Sequence, residues 1–254
     1  MGFRLSLGVC ASCLITLVVA AKAAERTPWL IGGKAVPLSC LAALDDSDVK
    51  RHQRVDIAKC HGVPPDTVAD GKTGFINREE HSYFYYSHLG PKDGSDLLFV
   101  ETSGGGSGLF SEIIGIKRTG NILQYARNYA GGDRCNGGIS SAKLANGQLS
   151  YDVSLTPSDL ILMGDKNAKF RPYQDLAAGA MNCVADLHMR DETVMGVTLT
   201  ERDLPATGGS GETYQACFND FYRRAVIQGG AEMNVAQLQA FAKGFVRTCI
   251  VKTR

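Results

Sequence analysis

Residues 95–156 read SDLLFVETSGGGSGLFSEIIGIKRTGNILQYARNYAGGDRCNGGISSAKLANGQLSYDVSLT. Apolar and β-branched runs alternate there with SGGGSG, TGN, AGGDRCNGG and ANGQ, each a cluster of turn formers. That rhythm predicts an antiparallel meander. Strands are expected over 97–101, 109–117, 122–130, 139–144 and 149–155, with a flexible turn over 103–108. The last pair is the clearest hairpin, because Asn146-Gly147 suits the type I′ turn that joins two strands with the right twist.

Working outward, the N-terminus bears on the compartment. Arg4 supplies a positive start, residues 5–21 carry no charge, and Ala21-Lys22-Ala23 fits a small-x-small cleavage site. A signal peptide over 1–23 is therefore expected; an uncleaved anchor is the competing possibility, since the apolar run is only slightly short of a spanning helix. Removing 1–23 takes away Arg4 and Lys22 and no acid, leaving 25 basic against 26 acidic residues, a formal charge of −1. A near-neutral chain has no electrostatic footprint for nucleic acid or for anionic lipid.

The same cleavage removes Cys10 and Cys13 and leaves Cys40, Cys60, Cys135, Cys183, Cys217 and Cys249. An even number in an exported chain points to disulfides. The spacing favours Cys40–Cys60 as a local loop and Cys217–Cys249 across a helical hairpin. Cys135–Cys183 is left to tie the sheet to the helical part. About 230 mature residues with 44% apolar content support a real core, so the bridges reinforce the fold rather than replace a core.

Elsewhere, 27–36 reads as a short strand pair around Gly32-Gly33, with Trp29 as a core or edge anchor. A short helix is expected between Cys40 and Cys60, and a turn-rich stretch over 62–72. Tyr83-Phe84-Tyr85-Tyr86 reads as a strand with Tyr83 and Tyr85 on one side and Phe84 and Tyr86 on the other. Thr156-Pro157-Ser158-Asp159 starts a helix, with proline at N1 and an acid at N3. Residues 173–189 show helical spacing, 193–200 one more strand, and 204–211 a loop. Two closing helices meet at Gly229-Gly230, the second capped by Asn234 with Gln237 three residues on. The fold class expected is α+β: an antiparallel β-meander with a helical C-terminal part, disulfide-stabilised. A mainly β region covers 24–165, and a mainly α region, 166–254, packs on it in one compact domain.

Chemical motifs fail one by one. The SGGGSG loop ends in Leu109-Phe110, where a phosphate loop needs Lys-Ser/Thr and a nucleophile elbow needs glycine. Cys135 has no histidine tied to it by spacing among His52, His61, His81, His88 and His188, and reads as a half-cystine. The run Asp45-Asp46-Ser47-Asp48 lacks the alternating ligands of a calcium loop, and no other metal or cofactor signature is found. Glu101 and Glu112, flanking the Gly-rich loop, are the acids to inspect for a paired-carboxylate hydrolase.

The resulting expectation is a periplasmic or secreted binding or inhibitor-type protein that performs no catalysis. Its partner is a protein or envelope component; no nucleic acid, cofactor or stable membrane insertion after cleavage is expected. Binding is placed at Asp133, Arg134 and Asn136 of the GGDRCNGG loop, and at Tyr83 and Tyr85. A secreted hydrolase with distant acidic residues and a structural envelope component are the alternatives.

Overall fold

The computed structural model describes residues 28–44, 54–60, 66–67, 73–77, 82–200, 204 and 213–251. The predicted leader, the acidic run 45–48 and most of the 62–72 and 204–211 stretches lie outside these residues.

The expected N-terminal strand pair forms as β1 (Leu30–Ile31) and β2 (Lys34–Ala35), followed by α1 (Leu38–Leu44). Then come β3 (Arg54–Asp56), β4 (Asp66–Thr67), β5 (Thr73–Asn77), β6 (Ser82–Lys92), β7 (Ser95–Gly104), β8 (Phe110–Thr119) and β9 (Ile122–Asp133). These seven make one antiparallel sheet in the order β3-β9-β8-β7-β6-β5-β4.

The expected meander is split. After β9 the chain leaves this sheet, and β10 (Ile139–Ala145) starts a second one. That sheet continues through β11 (Gln148–Leu155), β12 (Ala185–Arg190), β13 (Thr193–Leu199) and β14 (Glu232–Met233), in sequential order. The GGDRCNGG stretch is the junction between the sheets. The second sheet therefore draws strands from both sides of residue 165.

The apolar runs are continuous because the first sheet is covered on both faces. Leu98 and Val100 of β7 pack with Trp29, Leu41, Leu44 and Tyr86 under α1, whereas Leu97 and Phe99 point the other way onto Leu149 and Tyr151 of the second sheet. Each such aliphatic side chain contributes about 2 kcal/mol by leaving water. Trp29 is a core anchor, as expected, at 3% exposure, and its N–H donates to the Tyr86 hydroxyl. At the far end Lys92 clamps the sheets together. It donates to the Gly147 carbonyl (2.8 Å) and pairs with Asp191 (3.0 Å).

The second sheet is apolar on one face only. Its helical cover is α2 (Pro157–Gly164), α3 (Gln215–Gly229) and α4 (Val235–Phe245), which continues as a π-helical turn, Val246–Ile250. The expected caps are present: Thr156 with Asp159, and Asn234 with Gln237, each close a capping box. Phe218, Tyr222, Phe241 and Phe245 fill the space against Leu160, Leu187 and Val197. The buried Tyr222 hydroxyl donates to the carbonyls of Val184 (2.5 Å) and Thr200 (2.9 Å), tying α3 to two loop ends.

All three expected disulfides are in place, with Cα separations of 5.6 Å for Cys40–Cys60, 4.6 Å for Cys135–Cys183 and 5.8 Å for Cys217–Cys249. The helix expected over 173–189 is not. Tyr173 has φ +65°, and the Asp175 carboxylate accepts from the Arg171 backbone N–H, a local bond that competes with helix. Leu176, Ala177 and Val184 are buried as a core-facing loop instead, while Tyr173 and Met181 are exposed. From Ala185 onward Asp186, His188 and Arg190 alternate with Leu187 and Met189, a period of two that the helical spacing had masked. No helix among the described residues is long and apolar enough to cross a membrane.

Candidate functional site

The junction loop is built by short backbone bonds that its glycines permit. Asp133 and Asn136 exchange N–H···O bonds (3.1 and 2.8 Å), and the Gly138 N–H donates to the Arg134 carbonyl (2.8 Å). A Cβ at Gly132 or Gly138 would collide with the backbone oxygens of Asn136 and Arg134 respectively. Arg134 takes a positive φ of +45°, uncommon for a residue with a side chain.

Neighbouring segments hold this loop rigid. The Arg134 N–H donates to the Leu109 carbonyl (3.1 Å), and the Leu109 N–H to Asp133 Oδ1 (3.0 Å). Gly137 and Gly138 bond both ways with the Ser154 backbone, at 3.2 and 2.8 Å. Cys135 bonds covalently to Cys183 and through its N–H to the Ala180 carbonyl. Arg134 donates through Nε and Nη2 to Asp133 (3.0 and 3.5 Å) and through Nη1 to Met181 Sδ (2.7 Å). Burial alone would raise the Asp133 pKa; the hydrogen bonds from Arg134 and the Leu109 N–H outweigh it and hold the carboxyl below its ordinary range.

Beside this loop lies a cleft of about 220 Å³. Tyr83 and Glu101 line it from the first sheet, Phe110 from the start of β8, Arg134 from the junction, and Ile139 and Ser140 from β10. Register explains the meeting. Tyr85, Glu101, Ser111 and Gly132 are cross-strand partners on β6, β7, β8 and β9, so they share one row of the first sheet. Ser111 Oγ accepts the Ile139 N–H at 2.6 Å and pins the second sheet to that row. The Tyr83 and Tyr85 rings stack at 4.7 Å between centroids. Burial first, then the negative fields of Glu101 and Tyr85, push the Tyr83 phenol above its ordinary pKa, so it stays a donor at neutral pH.

Of the residues singled out in the sequence, Tyr83 and Arg134 line the cleft, Tyr85 supports Tyr83, and Asp133 positions Arg134. Asn136 is exposed on the outer turn and is not among the lining residues. Glu101 lines the cleft, but Glu112 does not. Glu101 faces Ser111 across the ladder, while Glu112 faces Val100, whose side chain points to the opposite surface of the sheet. The two acids thus leave opposite faces and form no paired-carboxylate centre. Leu109, Phe110, Ser140 and Met181 were not foreseen. Their only sequence signal is that the loop SGGGSG ends in two apolar residues, and these stay exposed: Leu109 at 40% and Phe110 at 48%.

A second polar cluster crosses the solvent-facing side of the second sheet. Ser141 Oγ donates to Asp152 (2.5 Å), and His188 Nδ1 lies 2.7 Å from the other Asp152 oxygen. His188 Nε2 lies 2.6 Å from Thr198 Oγ1, which donates to Glu232 (2.8 Å). Among the described residues no group of three or more His, Cys, Asp or Glu side chains is arranged to hold a metal ion.

No family model, curated protein or solved structure matches this chain. What the fold and site define is a disulfide-stabilised α+β protein whose two large antiparallel sheets meet at a cleft.

Proposed function

We propose that this is an exported binding protein, periplasmic or secreted, that holds a protein or envelope component at the junction cleft and performs no reaction on it. One observation carries the reading: segments distant in sequence converge on a preorganised cleft whose lining keeps Leu109 and Phe110 exposed, with Met181, the partner of Arg134, exposed beside it at 68%. Rigid sites with apolar anchors lose little entropy on binding. Three disulfides fit an oxidising compartment. The test is photo-crosslinking from residue 110 or 181 in envelope and culture-fluid fractions, with residue 227 on α3, also exposed, as the control. Adducts confined to 110 and 181, and displaced by unlabelled protein, are expected. Equal labelling at 227, or none anywhere, would sink the reading.

Hydrolysis has one observation in its favour, the Asp152–His188–Thr198 chain, which has the order of a nucleophilic triad. Against it, the Thr198 hydroxyl is directed to Glu232 rather than to the imidazole, and Thr198 sits inside a strand paired on both sides. An esterase or peptidase activity lost in Thr198→Val would reverse this preference.

A further inference from the structure

The lining of the cleft narrows the chemistry of its occupant. It holds a carboxylate, Glu101, and a guanidinium, Arg134, on one small surface. An anion there meets Glu101, and a cation meets Arg134, so neither charge sign is favoured across the whole cleft. Neutral groups that both donate and accept are compatible with both.

A carboxylate has about four lone-pair sites, so Glu101 can accept from a ligand hydroxyl alongside a protein partner, and an arginine has about five N–H donors. Arg134 directs three of its donors to Asp133 and Met181, and the others remain for a ligand. Ser140 is an exposed hydroxyl on the rim, and the Tyr83 phenol is protonated. Ser111 and Ser154 are committed elsewhere, to the Ile139 N–H and to Asp186. The remaining walls, Tyr83, Phe110 and Ile139, are apolar. The negative face of an aromatic ring attracts the slightly positive C–H bonds of a saturated ring. At about 220 Å³ the cleft falls below the usual range for drug-sized ligands.

From this combination we propose that the junction cleft binds one uncharged, ring-shaped polyhydroxyl unit, a glycosyl residue of an envelope or extracellular glycan. The ring lies against Tyr83 and Phe110, while its hydroxyls bond Glu101, Ser140 and Arg134. The assignment rests on the binding function proposed above and specifies its ligand.

The test is protein-observed NMR on the mature chain. The probes are the methyl glycosides of glucose, galactose, mannose and N-acetylglucosamine at millimolar concentration, with tetramethylammonium and acetate as charged comparators. At least one glycoside is expected to shift the Phe110, Arg134 and Ser140 amides saturably. Phe110→Ala should weaken it about tenfold, and Ser140→Phe should block it. Both positions are exposed, so the fold tolerates these changes, and an unchanged melting temperature checks this. Shifts from a charged comparator alone, from no probe at all, or from glycosides equally in both variants would overturn the proposal. If crosslinks from residue 110 persist in that case, binding at the cleft survives and only the ligand class falls; if they are absent too, both fall.

Discussion

At Arg134 the backbone bends into the left-handed region, and the side chain reaches back to Asp133 and across to Met181. The residue shapes the loop and lines the cleft at once. Gly138→Ala tests how tight that loop is. The added methyl meets the Arg134 backbone oxygen, which no side-chain movement relieves. A loss of about 2 kcal/mol is expected in chemical denaturation; a neutral effect would show that the loop yields. Titration gives an independent check. Asp175 is held below its ordinary pKa by the Arg171 backbone N–H against opposing burial, Asp191 by Lys92 and the Leu149 N–H, and Asp133 by Arg134 against burial. A carboxyl depressed in the folded state stabilises it above the unfolded pKa of about 4, and that stability is lost as pH falls further. The melting temperature should therefore drop as pH is lowered below about 4. Asp191→Asn should flatten this dependence; an identical slope in the variant would remove Asp191 from the account.

Elements inherit their stability from caps, bridges and buried hydroxyls. Tyr222→Phe deletes the donor shared by the Val184 and Thr200 carbonyls inside the helical core. A cost of about 1 kcal/mol is expected from calorimetry, since the Thr200 carbonyl loses this donor while the Val184 carbonyl keeps the Thr200 N–H. Replacing Cys135 and Cys183 by alanine opens a loop of 48 residues. The loop-entropy model puts this at about 4 kcal/mol, a fall in melting temperature of roughly 10 °C. At this scale much was legible beforehand. Asn146 and Gly147 have φ of 52° and 73°, as a type I′ turn demands, and the Thr156 cap follows from Pro157 and Asp159. Phe84 and Tyr86 are buried while Tyr83 and Tyr85 stay half-buried, because strand alternation is a local property. The 173–189 segment misled because burial was read as helical period. Leu176, Ala177 and Val184 face the core, but Tyr173 and Met181 do not, Asp175 caps a loop, and the last third alternates as a strand.

For the whole molecule, the split into two sheets was the feature least visible from the chain. Nothing local distinguishes a turn that continues a sheet from one that leaves it. The glycines of 131–138 allow either, and the pairing of Cys135 with Cys183, expected as a tie between sheet and helices, holds the junction itself. The cleft was half legible for the same reason. Tyr83, Arg134 and Glu101 could be singled out, but their meeting with Phe110 and Ser140 depends on register across four strands and on the Ser111–Ile139 bond between sheets. Glu101 and Glu112 show the reverse failure: neighbours in sequence logic, they are separated by the thickness of a sheet.

The Cys135–Cys183 bond also sets a schedule. The loop beside the cleft is fastened by a partner 48 residues downstream, so it cannot be completed while the chain is still short of that point. Two of its further fasteners, Ala180 and Met181, arrive only just before. Completion of the loop beside the cleft is thus a late event in the synthesis of the chain. A reduced or truncated chain would carry the cleft's first wall without its last.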